Sequence, residues 1–257
     1  MENWKFRERN IMKKLQTLLA MAVGCALLNA VLCPVAQAGE LFYATVINVK
    51  GNVSYSPDGG AHTYPLMMNQ VLEAGATIYT SGHGMVDLFF GQAEPGLERV
   101  TLATDSPRHG FAGSPLSLGQ NAVRVMPNST LDIKYLSPDL EELRLKRGAL
   151  YVNFWKPSAG IRCVVAVPAS NVIVANFQPA QFSVDLNPDG TLNYAAVFKS
   201  SDEVDVSMPL PDGRGWNYWV PEGEMWGNGG SNPELVSARI NRQMREVFGA
   251  SRTHYHR

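Results

Sequence analysis

From Gly39 onward the chain alternates apolar and polar residues with a period of two. MVDLFF at 85–90 is one such run, followed by VTL at 100–102, AVRV at 122–125 and LDIKY at 131–135. LRLK at 143–146 alternates without exception, and ALYVNF at 149–154 resumes the pattern after a single Arg147-Gly148 break. Later runs cover 163–167, 172–175, 181–186, 192–198 and 203–207. Successive side chains on opposite faces are what a half-buried strand requires. The runs are separated by Gly, Pro, Asn and Asp, and Pro-Asp-Gly recurs at 57–59, 188–190 and 211–213. In that tripeptide Pro presets φ, Asp bonds its own backbone and Gly accepts positive φ, so each copy reads as a turn. The pattern predicts an all-β unit. Periodicity does not choose among a sandwich, a barrel and a solenoid; the expectation is a short β-solenoid or sandwich of antiparallel-rich short strands. Residues 107–119 and 94–98 are expected to form surface loops between strands.

The period changes near the C-terminus. Asn232-Pro233-Glu234 supplies a capping residue, a first-turn proline and an acid at the positive end of the dipole. Val236, Ile240, Met244, Val247 and Phe248 then form an apolar stripe, with Arg239, Arg242 and Arg245 off it and Gly249 after it. The spacing predicts one α-helix over 233–248, docked on the β unit. A basic amphipathic helix presenting Arg239 and Arg242 to a partner or membrane is the alternative.

The N-terminus follows a third pattern. Lys13-Lys14 precede the apolar run LQTLLAMAVGCALLNAVL at 15–32, and Ala36-Gln37-Ala38 precede Gly39. A basic start, an apolar middle and a small-x-small end are a secretory leader, with cleavage expected after Ala38. An uncleaved anchor and a lipoprotein modified at Cys25 are the alternatives. The export reading places the protein in the periplasm or outside the cell. Membrane contact would then arise only through the N-terminal segment, and only if it stays attached. Loss of 1–38 removes five basic and two acidic residues, taking the formal charge from −1 to −4. Nothing in that balance favours nucleic acid. It also removes Cys25 and Cys33, leaving Cys163 in the apolar run CVVAV as a buried, inert thiol.

Candidate chemistry is sparse. The five histidines show no zinc spacing, and there is no phosphate loop or nucleophile elbow. Glu141-Glu142 and Asp202-Glu203 read as solvated pairs at strand or turn edges. Asp185-x-Asn187-x-Asp189-Gly190 opens like a calcium loop, but the position that needs a bidentate Glu holds Ala196, and strand patterns flank it. A hairpin turn is the primary reading there, and a loose calcium site on Asp185, Asn187 and Asp189 the alternative. No cofactor is expected. The segment GWNYWVPEGEMW crowds Trp216, Tyr218, Trp219 and Trp226 together. These aromatics serve either as core closure or as a binding surface for a protein patch or a sugar.

Residues 44–206 resemble the FecR domain family, exported β-rich domains best known from a ferric-citrate regulator of bacterial envelope signalling. The resemblance rests on VINVKGNVSY (Val49, Gly51, Val53), on VLEAGATIYTSGHGMVDLFF (Gly75, Thr80, Ser81, Gly82, Gly84), on VRVMPNSTLDI, and on LRLKRGALYV (Leu143, Leu145, Gly148, Leu150, Val152). AVPASNVIVANFQPAQFSVD keeps Pro168, Phe182 and Val184, but Gln178-Pro179-Ala180 stand where the family has Arg-Gly-Thr. Signalling members carry a cytoplasmic helical segment that binds a sigma factor. Here 14 residues precede the apolar run, too few for such a domain. The resemblance thus implies a stand-alone exported domain. The resulting expectation is a leader at 1–38, a β domain at 39–228 and a helix with its tail at 229–257. Its function would be non-enzymatic, in protein–protein interaction, envelope signalling or assembly, with an envelope protein as partner. A glycan-binding domain and a tethered transmembrane regulator are the alternatives.

Overall fold

The computed structural model describes residues 42–92, 121–137, 139–154, 162–176, 178–209, 215–227 and 232–248. The strands are β1 (Phe42–Lys50), β2 (Val53–Ser56), β3 (Tyr64–Pro65), β4 (Val71–Leu72), β5 (Thr77–Thr80) and β6 (Met85–Gln92). Then come β7 (Asn121–Val125), β8 (Thr130–Leu136), β9 (Leu140–Arg147), β10 (Ala149–Phe154), β11 (Arg162–Val167) and β12 (Val172–Asn176). The last are β13 (Ala180–Leu186), β14 (Leu192–Ser200), β15 (Val204–Pro209), β16 (Gly215–Val220), β17 (Glu224–Gly227) and β18 (Glu234–Leu235), followed by the helix α1 (Ala238–Phe248).

The strands form two open nine-stranded sheets. One runs β4-β1-β6-β7-β10-β13-β14-β17-β18, the other β3-β2-β5-β8-β9-β11-β12-β15-β16. Apart from β4 outside β1 and β3 outside β2, each sheet grows in chain order, and the chain visits them in turn, mostly a hairpin at a time. Every described pair is antiparallel except β9 with β11. Those two lie side by side and parallel because β10 crosses to the other sheet between them. That one excursion is the solenoid-like turn in what is otherwise a sandwich.

Parity sets the core. Val86, Leu88, Val123, Val125, Leu150, Val152, Phe182 and Val184 of the first sheet face Ile78, Leu131, Ile133, Leu143, Leu145, Val165 and Val174 of the second in one apolar cluster. Each fully buried aliphatic side chain contributes roughly 1.5–3 kcal/mol. The LRLKRGALYV motif is the corner between β9 and β10. Leu143, Leu145, Leu150 and Val152 are fully buried, and Gly148 turns at φ +80°. A Cβ there would collide with Ser129, 2.7 Å from its Cα. The Ala149 N–H donates to Ser129 Oγ at 3.0 Å, and the Ser129 N–H donates to Thr80 Oγ1 at 2.8 Å. Thr80, Ser129 and Gly148 thus pin three corners together. These motif residues are scaffold.

The helix begins later than its sequence pattern implies. Glu234 and Leu235 pair with Met225 and Glu224 as an edge strand, which draws Asn232 and Pro233 out of the helix. Ser237 caps the helix instead, its Oγ accepting from the Ile240 N–H at 3.3 Å. Ile240, Met244, Val247 and Phe248 pack on Ala122, Tyr151 and Ala196 of the first sheet's outer face. Phe248 stacks on Phe198 at 5.6 Å and meets Tyr151 edge-on at 5.9 Å. Docking on the β unit is the reading the structure shows. The expected strand at 100–102, the loops at 94–98 and 107–119, the turn at 211–213 and the leader lie outside the described residues.

Candidate functional site

Two open sheets have four edges, and an edge strand offers a row of unpaired N–H and C=O groups. Proteins blunt such edges by shortening them or by placing proline or charge on them. Three of the four are blunted here. β3, β4 and β18 have two residues each, β3 contains Pro65 and β18 contains Glu234. β16 is six residues long, with the sequence GWNYWV, and has neither proline nor charge. It pairs with β15 along its whole length, Val204 with Val220 through Pro209 with Gly215. About half of its backbone polar groups face the open side, as in any antiparallel edge.

The structure separates the four aromatics of the segment. Trp226 is a core residue, 4% exposed, and Tyr218 stacks on it at 5.1 Å and 26°. Trp226 is therefore corrected from interaction candidate to scaffold, because Ala195 of β14 pairs opposite it and the sheet turns it inward. Trp216 and Trp219 are 61% and 49% exposed. Three residues apart on a strand, they project to opposite faces, so they flank the edge rather than share a platform. Asp205 pairs opposite Trp219. Its carboxyl is buried, its Oδ1 has no partner among the described residues, and burial pushes its pKa up.

The other sequence-derived candidates fall elsewhere. Asp185 is a β13 residue paired with Ala149 and Tyr194. Its pKa is raised by desolvation, against hydrogen bonds from Tyr194 and Asn193 and the charge of Arg239. Asn187 donates to Thr191 Oγ1 at 3.1 Å. Asp189 accepts from the Thr191 N–H and hydroxyl at 3.0 and 2.6 Å, which hold its carboxyl below its ordinary range. Gly190 closes the turn at φ +84°. All three side chains are thus engaged within the β13–β14 hairpin. No group of three metal-ligating side chains occurs among the described residues. Arg239 and Arg242 are exposed on α1, away from β16 on the first sheet's side.

Sequence reading misplaced one titratable group and missed an ion pair. Glu141 was expected in solvent but is fully buried. It shares a strand face with Leu143 and Leu145, and that parity was the available signal. Neither of its carboxyl oxygens has a partner among the described residues, and desolvation pushes its pKa up to about 9. It pairs opposite Cys163. That thiol is free and buried, and burial and Glu141 push its pKa well up. On the first sheet's outer face, Arg124 Nε and Nη2 donate to Asp87 Oδ1 and Oδ2 at 2.6 and 2.8 Å in a buried bidentate pair. Asp87 also accepts from Asn48 at 3.2 Å.

The class defined is an all-β, two-layer protein of open sheets with a docked C-terminal helix and, among the described residues, one long uncharged aromatic edge. No family model, curated protein or solved structure matches the chain. No helix among the described residues is long and apolar enough to cross a membrane.

Proposed function

We propose that this chain is a non-enzymatic bacterial envelope domain, exported to the periplasm or beyond, that works by protein–protein interaction along β16. The observation that carries the reading is the asymmetry of the edges. Three are two residues long, while the fourth is six residues of uncharged strand flanked by two exposed tryptophans. Strand addition fits such an edge: backbone bonds supply affinity, and side chains on alternate faces supply specificity. Tryptophan is the residue type most enriched at binding hot spots. The leader pattern at 1–38 and the FecR-like motif order support an exported domain. A sugar platform is less favoured, since Trp216 and Trp219 project to opposite faces and Trp226 is buried.

A photo-crosslinking residue at Asn217, with Asp189 as the control position, tests the reading in cells making the full chain. Both positions are exposed. A discrete adduct from 217 and none from 189, lost on Trp219→Ser, is expected. No adduct from 217, or equal adducts from both, overturns it. Intact mass of the native protein tests export. A chain beginning at Gly39 outside the inner membrane is expected. An uncleaved chain in the inner membrane would favour the tethered regulator.

A further inference from the structure

Eight large apolar side chains are exposed among the described residues, and all but Tyr135 lie at the two ends of the sandwich. At the first end, Tyr64 of β3, Val71 of β4 and Met67 and Met68 between them form a lip, with the methionines 66% and 62% exposed. At the other end stand Trp216 and Trp219 of β16 and Leu235 of β18. Arrays that grow by adding strands in chain order need polar caps to remain single. Both ends here carry exposed apolar side chains instead, with Glu234 the charge on the β18 edge.

The ends also match in layout. Each presents one edge from each sheet: β3 with β4, and β16 with β18. Following the pairings across the second sheet, β16 runs opposite to β3. A second sandwich added in the same orientation therefore brings β3 antiparallel to β16. Neither strand, nor β4, carries a charge, so no like charges oppose on them. Thioethers against indole rings are favourable contacts.

We infer that the partner at β16 is a second copy of this chain, docked head to tail, with the lip of one copy at residues 64–71 against the tryptophan edge of the next. This rests on β16 being the binding edge. A two-fold pairing of β16 with β16 would leave the lip uncovered, whereas one head-to-tail contact covers both patches. The contact is heterologous, so it propagates into open chains rather than closing at a dimer. The two-residue β3 limits backbone bonding, which makes the contact mainly side chain on side chain and its affinity modest.

The test is sedimentation and light scattering of the protein purified from the cells that make it, with two surface variants. One is Trp216→Ser with Trp219→Ser, the other Met67→Ser with Met68→Ser, and circular dichroism and melting confirm that both are folded. The wild type is expected to gain mass steadily over roughly 10–500 μM. Each variant alone should stay monomeric, since each keeps only one working end. An equimolar mixture should form a heterodimer and nothing larger. A wild type that stays monomeric throughout, or a methionine variant that dimerises as well as wild type, overturns the inference. The crosslink at Asn217 separates the two readings. An adduct to a different protein with none of twice the chain mass overturns the second copy but keeps β16 as the binding edge. No adduct at all removes both.

Discussion

Glu141 shows how one side chain's chemistry follows from strand parity. Leu143 and Leu145 place it inside the sandwich, where nothing described bonds its carboxyl. With its pKa raised from 4.5 to about 9, the folded protein keeps a proton that the unfolded chain releases above pH 4.5. The stability linked to this group is full below about pH 4.5, falls through neutrality and is gone once pH passes about 9. Glu141→Leu should therefore be more stable than wild type near pH 7, by about 2–3 kcal/mol, and should lose most of the decline toward pH 9. Urea denaturation at several pH values reads both effects. Arg124 behaves in the opposite way. Its partner Asp87 is a buried charge, so Arg124→Met should cost about 3–5 kcal/mol, and pairing it with Asp87→Leu should recover much of that loss. A cost of the single change below about 1 kcal/mol would mean that the pair is effectively solvated.

At the scale of elements, the aromatic segment divides into scaffold and surface. Trp226→Ala removes a buried indole that stacks on Tyr218 and should cost about 3–5 kcal/mol. Trp216→Ser and Trp219→Ser should leave the melting temperature nearly unchanged, as surface substitutions do. Thermal melts of the three variants side by side give the answer. The β9–β10 corner is equally specific. Gly148→Ala meets both a positive φ and the Ser129 backbone, so it should destabilise by more than the roughly 1 kcal/mol of an ordinary glycine effect. The helix is held by its apolar face more than by its cap. Phe248→Ala should cost about 3 kcal/mol or more, against about 1 kcal/mol for Ser237→Ala.

At the scale of the whole molecule, both sheets extend in chain order beyond β3 and β4, which fold back outside β2 and β1, so the sandwich has a first end and a last end rather than a closed surface. This is why exposed apolar residues collect where they do, and why an interaction at β16 is the functional reading with most support. Much of the fold was legible in the sequence. The alternation at 143–146 and 149–154 marked β9 and β10 because a half-buried strand can satisfy its two environments only with period two. The helix stripe was legible for the matching reason at period 3.6, but its start was not. Glu234 and Leu235 pair with Met225 and Glu224 of β17, nine and eleven positions away, a pull on the chain that no local capping signal records. The site was less legible still. Composition brought Trp216, Trp219 and Trp226 together without saying which of them would be buried. The alternating runs from 122 to 207 and the turns at 57–59 and 188–190 were written locally in the chain, because backbone geometry and side-chain polarity suffice to set them. Which strands became edges, why β16 is the long uncharged one among the described residues, and how deeply Glu141 is buried are properties of the folded molecule. Those properties depend on which strands pair and on how two sheets close over a shared core.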